Sequence, residues 1–183
     1  MLTALPKLPD IAMTAPQDNI NSDTLMGLLS HWGITPPLIE HPPLYTCEDA
    51  DRLLVNRPGT RLKNLFLRDN YGRRHALLLT RADKQVDLKA LSRDIGWSRL
   101  GFASADRLQR YLGVDPGHVS VLALVNDRAQ EVELWLDREL ETGDDFHCHP
   151  LRNSATLLLS KTDLIRFTGH TGHAPQWLAV PER

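Results

Sequence analysis

The chain has 183 residues, 42% apolar and 24% charged, close to the average of globular domains and unlike a disordered, collagen-like or disulfide-stapled chain. Its longest nearly apolar run, residues 119–125, is far shorter than the roughly 20 residues of a membrane-spanning helix. The formal net charge of −2 hides an asymmetry: residues 52–110 carry fourteen Lys and Arg against five acids, and the remainder carries seven against eighteen. A basic middle in an acidic chain either presents a polyanion-binding face or interleaves in space with the acidic segments and cancels.

Residues 1–20 are interrupted by Pro6, Pro9 and Pro16, show no period and lack the basic head of a signal peptide. They read as a loose N-terminal extension, leaving residues 21–183 as one domain. Cys47 and Cys148 have neither metal-site nor redox spacing and read as two reduced thiols of a cytoplasmic protein.

Ser22 or Asp23 is placed to cap a helix whose apolar face is Leu25, Leu28, Leu29 and Trp32, with Gly33 as its stop. A short strand is expected at residues 38–41. Thr46 and Asp49 have capping-box spacing and open a short helix to Leu54. Residues 62–68 and 73–80 flank the turn-rich Asp69-Asn70-Tyr71-Gly72 and predict a hairpin whose second arm is a buried central strand. Asp87 and Ser104 cap two further helices that stop at Gly96 and Gly113. Residues 119–125 and 132–136 read as a second hairpin, residues 146–149 and 156–160 as two short strands, and residues 177–180 as a terminal strand. Thr162 is read as the cap of a short last helix before Gly169. Hairpins mixed with short helices predict a mixed α/β (α+β) single domain with a mixed central sheet.

No P-loop, dinucleotide fingerprint, nucleophile elbow or HExxH motif is present. His147 and His149 would share one face of a strand. They could ligate a metal with His170 or His173, one of them could serve as a base or hydrogen-bond donor, or both could be structural. Lys63 opens the apolar run Leu65-Phe66-Leu67 and is either a surface snorkel or a pocket residue. Gly117, after Asp115-Pro116, is either a turn glycine or a point where backbone can approach a ligand closely.

Taken with Glu40-His41-Pro42-Pro43-Leu44-Tyr45-Thr46, Lys63-Asn64-Leu65-Phe66-Leu67-Arg68-Asp69, Gly113-Val114-Asp115-Pro116-Gly117, Leu124-Val125-Asn126-Asp127 and His149-Pro150-Leu151-Arg152-Asn153-Ser154-Ala155-Thr156, these signals resemble the YbaK/ProX superfamily of aminoacyl-tRNA editing domains, most of all its prolyl-tRNA editing members, over roughly residues 21–180. The resemblance implies a hydrolase that needs no metal or cofactor and cleaves the ester of mischarged tRNA, with alanine on tRNA(Pro) the expected substrate. It makes Lys63 and His149 the catalytic residues. It places His41, Thr46, Asn64, Gly117, His118, Ser120 and Asn153 around the substrate. The expected partners are the 3′ aminoacyl-adenosine end of tRNA and a prolyl-tRNA synthetase or elongation factor that delivers it. Val121 stands where family members commonly carry proline, so a less rigid loop is expected there. Two other readings stay open: a non-catalytic tRNA- or synthetase-binding module with the editing fold, and a metal hydrolase built on His147 and His149.

Overall fold

A computed structural model of the chain describes residues 18–54 and 56–183. All but the last three residues of the expected N-terminal extension lie outside that set, as does the side chain of Cys47. Ile20 is held by Asn126, whose Oδ1 accepts from the Ile20 N–H at 2.7 Å.

Short polar residues start the helices by satisfying N–H groups that have no partner within the helix. Asn21, rather than Ser22 or Asp23, caps α1 (Ser22–His31), whose Leu25 and Leu29 are fully buried. A short strand β1 (Leu38–Glu40) follows. Thr46 and Asp49 cap each other's backbone N–H groups, at 3.0 and 3.2 Å, and open α2 (Cys47–Leu54). The first hairpin is β2 (Thr60–Arg68) and β3 (His75–Arg81). Asp69 Oδ1 ties its turn by accepting from the N–H groups of Arg73 and Arg74. Asp87 caps α3 (Leu88–Ile95), and Ser104 caps α4 (Ala105–Leu112) after the two-residue β4 (Gly101–Phe102).

The second predicted hairpin does not exist. Val121–Asn126 form a 3₁₀ helix, capped by the Ser120 hydroxyl accepting from Leu122 N–H at 3.2 Å. Five consecutive buried residues without alternation fit a buried helix as well as a buried strand, and the serine cap selects the helix. Asp127 then accepts from the N–H groups of Glu131 and Val132 and sends the chain into β5 (Val132–Asp137), which joins β3 in parallel.

A second 3₁₀ turn (Arg138–Thr142) leads to β6 (Asp145–Cys148) and β7 (Ala155–Ser160). The last helix, α5 (Lys161–Thr171), begins earlier and ends later than expected. Ser160 caps it instead of Thr162, and it runs through Gly169 to Gly172, whose φ is 78°. The terminal strand, β8, is Gln176–Leu178.

The sheet order is β1-β7-β6-β2-β3-β5-β8, with β4 beside β2. Parallel and antiparallel pairs are mixed, as the hairpin-rich sequence predicts. One apolar layer, including Phe66, Leu77, Leu79, Leu112 and the 3₁₀ helix, covers one face; a smaller one, with Leu67, Leu78, Leu91 and Trp135, packs α3 on the other. β2 and β6 are joined only at Thr60–Phe146 and Arg61–His147. Beyond Arg61 the two strands part, and the edge of β2 that faces away from β3 meets β4 again only at Leu67 and Arg68. This split, in the middle of an otherwise continuous sheet, positions the candidate site.

Candidate active site

The parallel pairing of Arg61 with His147 brings Lys63 level with His149, two residues further along each strand direction. Because successive strand residues point to opposite faces, Lys63 and Asn64 leave β2 on different sides. Asn64 shares its side with Leu62 and Phe66, which pack on the larger core; Lys63 shares its side with Leu65 and Leu67, which pack on the smaller one.

Asn64 Oδ1 is buried and, among the described residues, has no hydrogen-bond partner. Leaving such an acceptor unsatisfied costs about 1–3 kcal/mol, so it marks a place where a donor is missing. Its backbone faces the split as well: Phe66 C=O accepts from Ala103 N–H on the β4 side at 2.9 Å, and residues two apart on a strand present their backbone groups to the same edge.

The half-buried Lys63 forms no ion pair among the described residues. Its ammonium donates to the backbone carbonyl of Lys84 at 2.7 Å. Lys84 is itself buried, its own ammonium bonded to Asp137 at 2.8 Å and Glu139 at 3.0 Å, while Thr80 hydroxyl donates to the same Asp137 oxygen. Burial disfavours the Lys84 charge, but the two carboxylates outweigh it and raise its pKa. Beside Lys63, a cavity of about 350 Å³ is lined by Asp51, Thr60, Arg61, Arg81, Ala82 and Asp83.

His149 follows the end of β6, its Nδ1 3.5 Å from Ala155 C=O. Burial, with His41, His118 and Arg61 nearby, pushes its pKa below the ordinary histidine value. It is therefore neutral at neutral pH. The Nδ1 of His41 lies 2.8 Å from the carbonyl of Pro42 and its Nε2 2.9 Å from Thr156 hydroxyl. A carbonyl only accepts, so in the neutral ring the proton sits on Nδ1 and Nε2 accepts from Thr156.

The two segments carrying these histidines are laced together. His41 N–H donates to Ser154 C=O and Leu44 N–H to Asn153 C=O, both at 3.0 Å. The Asn153 amide nitrogen donates back to Leu44 C=O at 3.3 Å and so holds the 41–44 loop. Leu151 between them has φ of 61°, a left-handed conformation that strains a branched residue.

Gly117 has φ of 89°, and His118 N–H donates to Asp115 C=O at 3.0 Å; with Pro116 at the second position this is a type II turn. Among the described residues, nothing lies within 4 Å of where a Gly117 side chain would begin. His118 and Leu151 line a second cavity, of about 300 Å³, together with Gly113 and Asp115. The structure thus gathers His149, His41 and His118 with Arg61, while Lys63 and Asn64 flank the split from opposite faces of β2. Thr46 and Ser120 use their hydroxyls as helix caps. Val121 is the fully buried first residue of the 3₁₀ helix, a position at which proline also fits because no intrahelical acceptor awaits its N–H.

His147 and His149 are directed to different carbonyls, those of Pro58 and Ala155, and among the described residues no group of three or more His, Cys, Asp or Glu gathers around a point. Arg61 and Thr156 are near the histidines but were not singled out from sequence. Arg61, paired with Asp51, lies two residues from Lys63 on the same strand side, a period-two signal that was available. Thr156 is brought in only by tertiary pairing.

Comparison with known proteins identifies the class. Residues 41–167 match the aminoacyl-tRNA editing domain. The prolyl-tRNA editing protein ProX of Acetoanaerobium sticklandii is 42% identical over 136 residues, covering 74% of this chain and 83% of its own. The prolyl-tRNA synthetase associated domain-containing protein 1 of Danio rerio is 39% identical over 149 residues, covering 80% of each chain. A crystal structure of a candidate trans-editing enzyme for prolyl-tRNA synthetase superposes with a TM-score of 0.68 over 88% of this chain and 97% of its own, at 20% identity, and shows the same fold. The chain belongs to the aminoacyl-tRNA editing domain family. With that membership it is a deacylase, a hydrolase of the ester between amino acid and tRNA.

Proposed function

We propose that this deacylase removes alanine from tRNA(Pro), acting in trans at the split between β2 and β6. The observation that carries the reading is the buried Asn64 Oδ1, without a hydrogen-bond partner among the described residues, on the stretch of β2 that has parted from β6, with Lys63 next to it in the chain and a neutral His149 level with Lys63 on the other strand. An aminoacyl ester is already activated, so positioning and charge stabilisation suffice. Asn64 Oδ1 accepts from the substrate's ammonium group. Water, oriented by neutral His149, attacks the ester carbonyl carbon. The oxyanion that forms is met by the Lys63 ammonium, which exchanges the Lys84 carbonyl for this stronger, charged acceptor. The ester C–O bond then breaks, and the proton lost by the water reaches the departing ribose oxygen through the vicinal hydroxyl. Free amino acid and tRNA result. His41 and His118 flank the amino acid, and the open space at Gly117 admits the terminal adenosine. Thr46 and Asn153 act on the substrate indirectly, by fixing the wall formed by residues 41–46, and Ser120 by fixing the turn before it.

The choice of alanine follows from the limits of size discrimination. A site shaped for proline rejects a smaller residue by only about 1–3 kcal/mol per methylene, so a second hydrolytic site is required. The names of the relatives, which refer to prolyl-tRNA editing and to prolyl-tRNA synthetase, support that assignment and a synthetase as the delivering partner; from such a substrate we infer a cytoplasmic reaction. We assign the editing unit to residues 21–183, with residues 1–20 as an appendage. The experiment is deacylation of Ala-tRNA(Pro) beside Pro-, Ser- and Cys-tRNA. Loss of alanine alone supports the reading; tRNA binding without hydrolysis of any ester would replace it with a binding module.

A further inference from the structure

Part of the basic middle of the chain, from Arg68 to Arg110, gathers at the end of β2 away from Lys63. From Lys63, β2 runs five residues to Arg68, roughly 17 Å at about 3.3 Å per residue. Around the turn that follows, separate segments each contribute arginine. Arg68 donates to the carbonyl of Asp69 at 2.9 Å. Arg107, in the first turn of α4, donates to Gly72 C=O at 3.0 Å and to His75 Nε2 at 2.8 Å. Ser98 hydroxyl accepts from Asn70 N–H, which seats Arg99 beside the same turn. Arg73 lies 5.7 Å from the centre of the Tyr71 ring, and Arg110 lies 5.1 Å from that of Tyr111. Burial, with Arg107, Arg110 and Arg68 close by and only Asp69 opposing, holds His75 below the ordinary histidine pKa, which places those three cations around one buried ring.

The charges are left available. None of Arg68, Arg73, Arg99, Arg107 and Arg110 has a carboxylate partner among the described residues, whereas Arg74 is paired with Glu133, Arg81 with Asp83 and Glu139, and Arg93 with Asp94. Asp69 is turned inward onto the backbone, which leaves Asp106 as the exposed acid without an ion pair in this stretch. Two large rings stand out between the cations: Tyr71 is 70% exposed and Phe102 62%. An ordinary solvated face mixes both signs and hides its rings. Unpaired guanidinium groups interleaved with exposed rings fit phosphates and nucleotide bases.

We propose that this end of the molecule, the β2–β3 turn with Arg99, Phe102 and the outer side of α4, docks the base-paired acceptor stem of tRNA through its phosphate backbone, while the unpaired 3′ end runs along β2 into the split. The proposal rests on the reading of the substrate as aminoacyl-tRNA. The lengths agree: four unpaired nucleotides stacked at about 3.4 Å span about 14 Å, close to the distance from the turn to Lys63. Such contacts read charge and duplex shape rather than sequence.

The test is the triple variant Arg73→Glu/Arg99→Glu/Arg110→Glu, with a Gln version of the same three and Arg138→Glu, at the opposite end of β5, as control. Filter binding of uncharged tRNA is measured from low to high salt, and deacylation is measured on aminoacyl-tRNA and on an aminoacylated CCA trinucleotide. Binding of tRNA by the Gln variant should weaken, with the slope of log Kd against log salt falling by about three, one per arginine. The Glu variant should lose more, the Arg138 control nothing, and hydrolysis of the trinucleotide ester should be unchanged. Wild-type affinity and slope in the Gln variant would overturn the proposal, as would equal weakening in the control or absence of tRNA binding by the wild type. Failure of the deacylase reading looks different: the wild type binds tRNA but hydrolyses neither ester.

Discussion

The Lys63 ammonium lies 2.7 Å from the backbone carbonyl of Lys84, twenty-one residues further along the chain. The lysine we propose as catalytic is thus parked on a neutral acceptor, held in place by a second lysine whose own charge is buried against Asp137 and Glu139. Lys63→Ala should abolish deacylation while leaving the thermal midpoint near wild type, because the side chain makes no ion pair among the described residues and contributes little to the core. Lys63→Arg should restore little, since a planar fork cannot replace a compact ammonium at one carbonyl. Single-turnover hydrolysis and circular dichroism on the same preparations check both statements.

Lys84→Met should be costly to the fold. It leaves Asp137, 1% exposed, without its cation, and breaking one partner of a buried pair costs about 3–5 kcal/mol. The native pKa of Lys84 is raised, so its contribution is complete below the unfolded value near 10.5 and declines as pH rises through the native one. Urea titration at neutral pH measures the loss. If stability falls by less than about 1 kcal/mol, the cluster does not hold the Lys84 carbonyl as described.

His75 and His149 should make the protein acid-sensitive. His149 and His75 both have pKa values lowered chiefly by burial. The unfolded chain therefore binds more protons below the ordinary value of about 6.5, and stability should fall as pH drops through that value toward the native ones. His75 adds a direct reason: its Nε2 accepts from Arg107, which a charged ring cannot do. Thermal midpoints from pH 7.5 to 5 should decline in the wild type and less steeply in His75→Gln. Activity should fall in the same acid range, with the neutral form of His149 the active one.

The loop before the 3₁₀ helix can be probed from both ends. Gly117→Ala meets no neighbour but must adopt φ of 89°, at a cost of about 1–2 kcal/mol. Val121→Pro should fold and keep its midpoint within a few degrees, because the Ser120 cap already sets the first helical residue that proline would set. Thermal melts of the two variants should move in clearly different degree.

Cys148 should be inert. Its thiol is 2% exposed, and burial pushes its pKa up to about 12. In a Cys47→Ser background, a thiol reagent at pH 8 should label the native protein far more slowly than the unfolded one. Rapid labelling of the native protein would show that β6 opens locally.

Most local structure was legible in the sequence because it rests on local chemistry. Capping by Asp87 and Ser104, the stops at Gly96 and Gly113, the reciprocal Thr46–Asp49 cap and the tight turn after Arg68 are each made by residues within a few positions of one another. Residues 121–125 were misread because a run buried on all sides carries no period, and only its neighbours determine whether it coils or extends. The Lys-Asn pair and the His149 segment could be named from sequence. That their side chains leave β2 on opposite faces follows from the pleat; that the split beside them stays open does not. That depends on β6 pairing with β2 at two residues and no more, on Lys84 burying its charge against β5, and on Asn153 lacing two distant loops together. These are contacts between residues far apart in the chain, made only when loop-closure entropy has been overcome by the burial of the whole sheet, and so they belong to the tertiary structure alone.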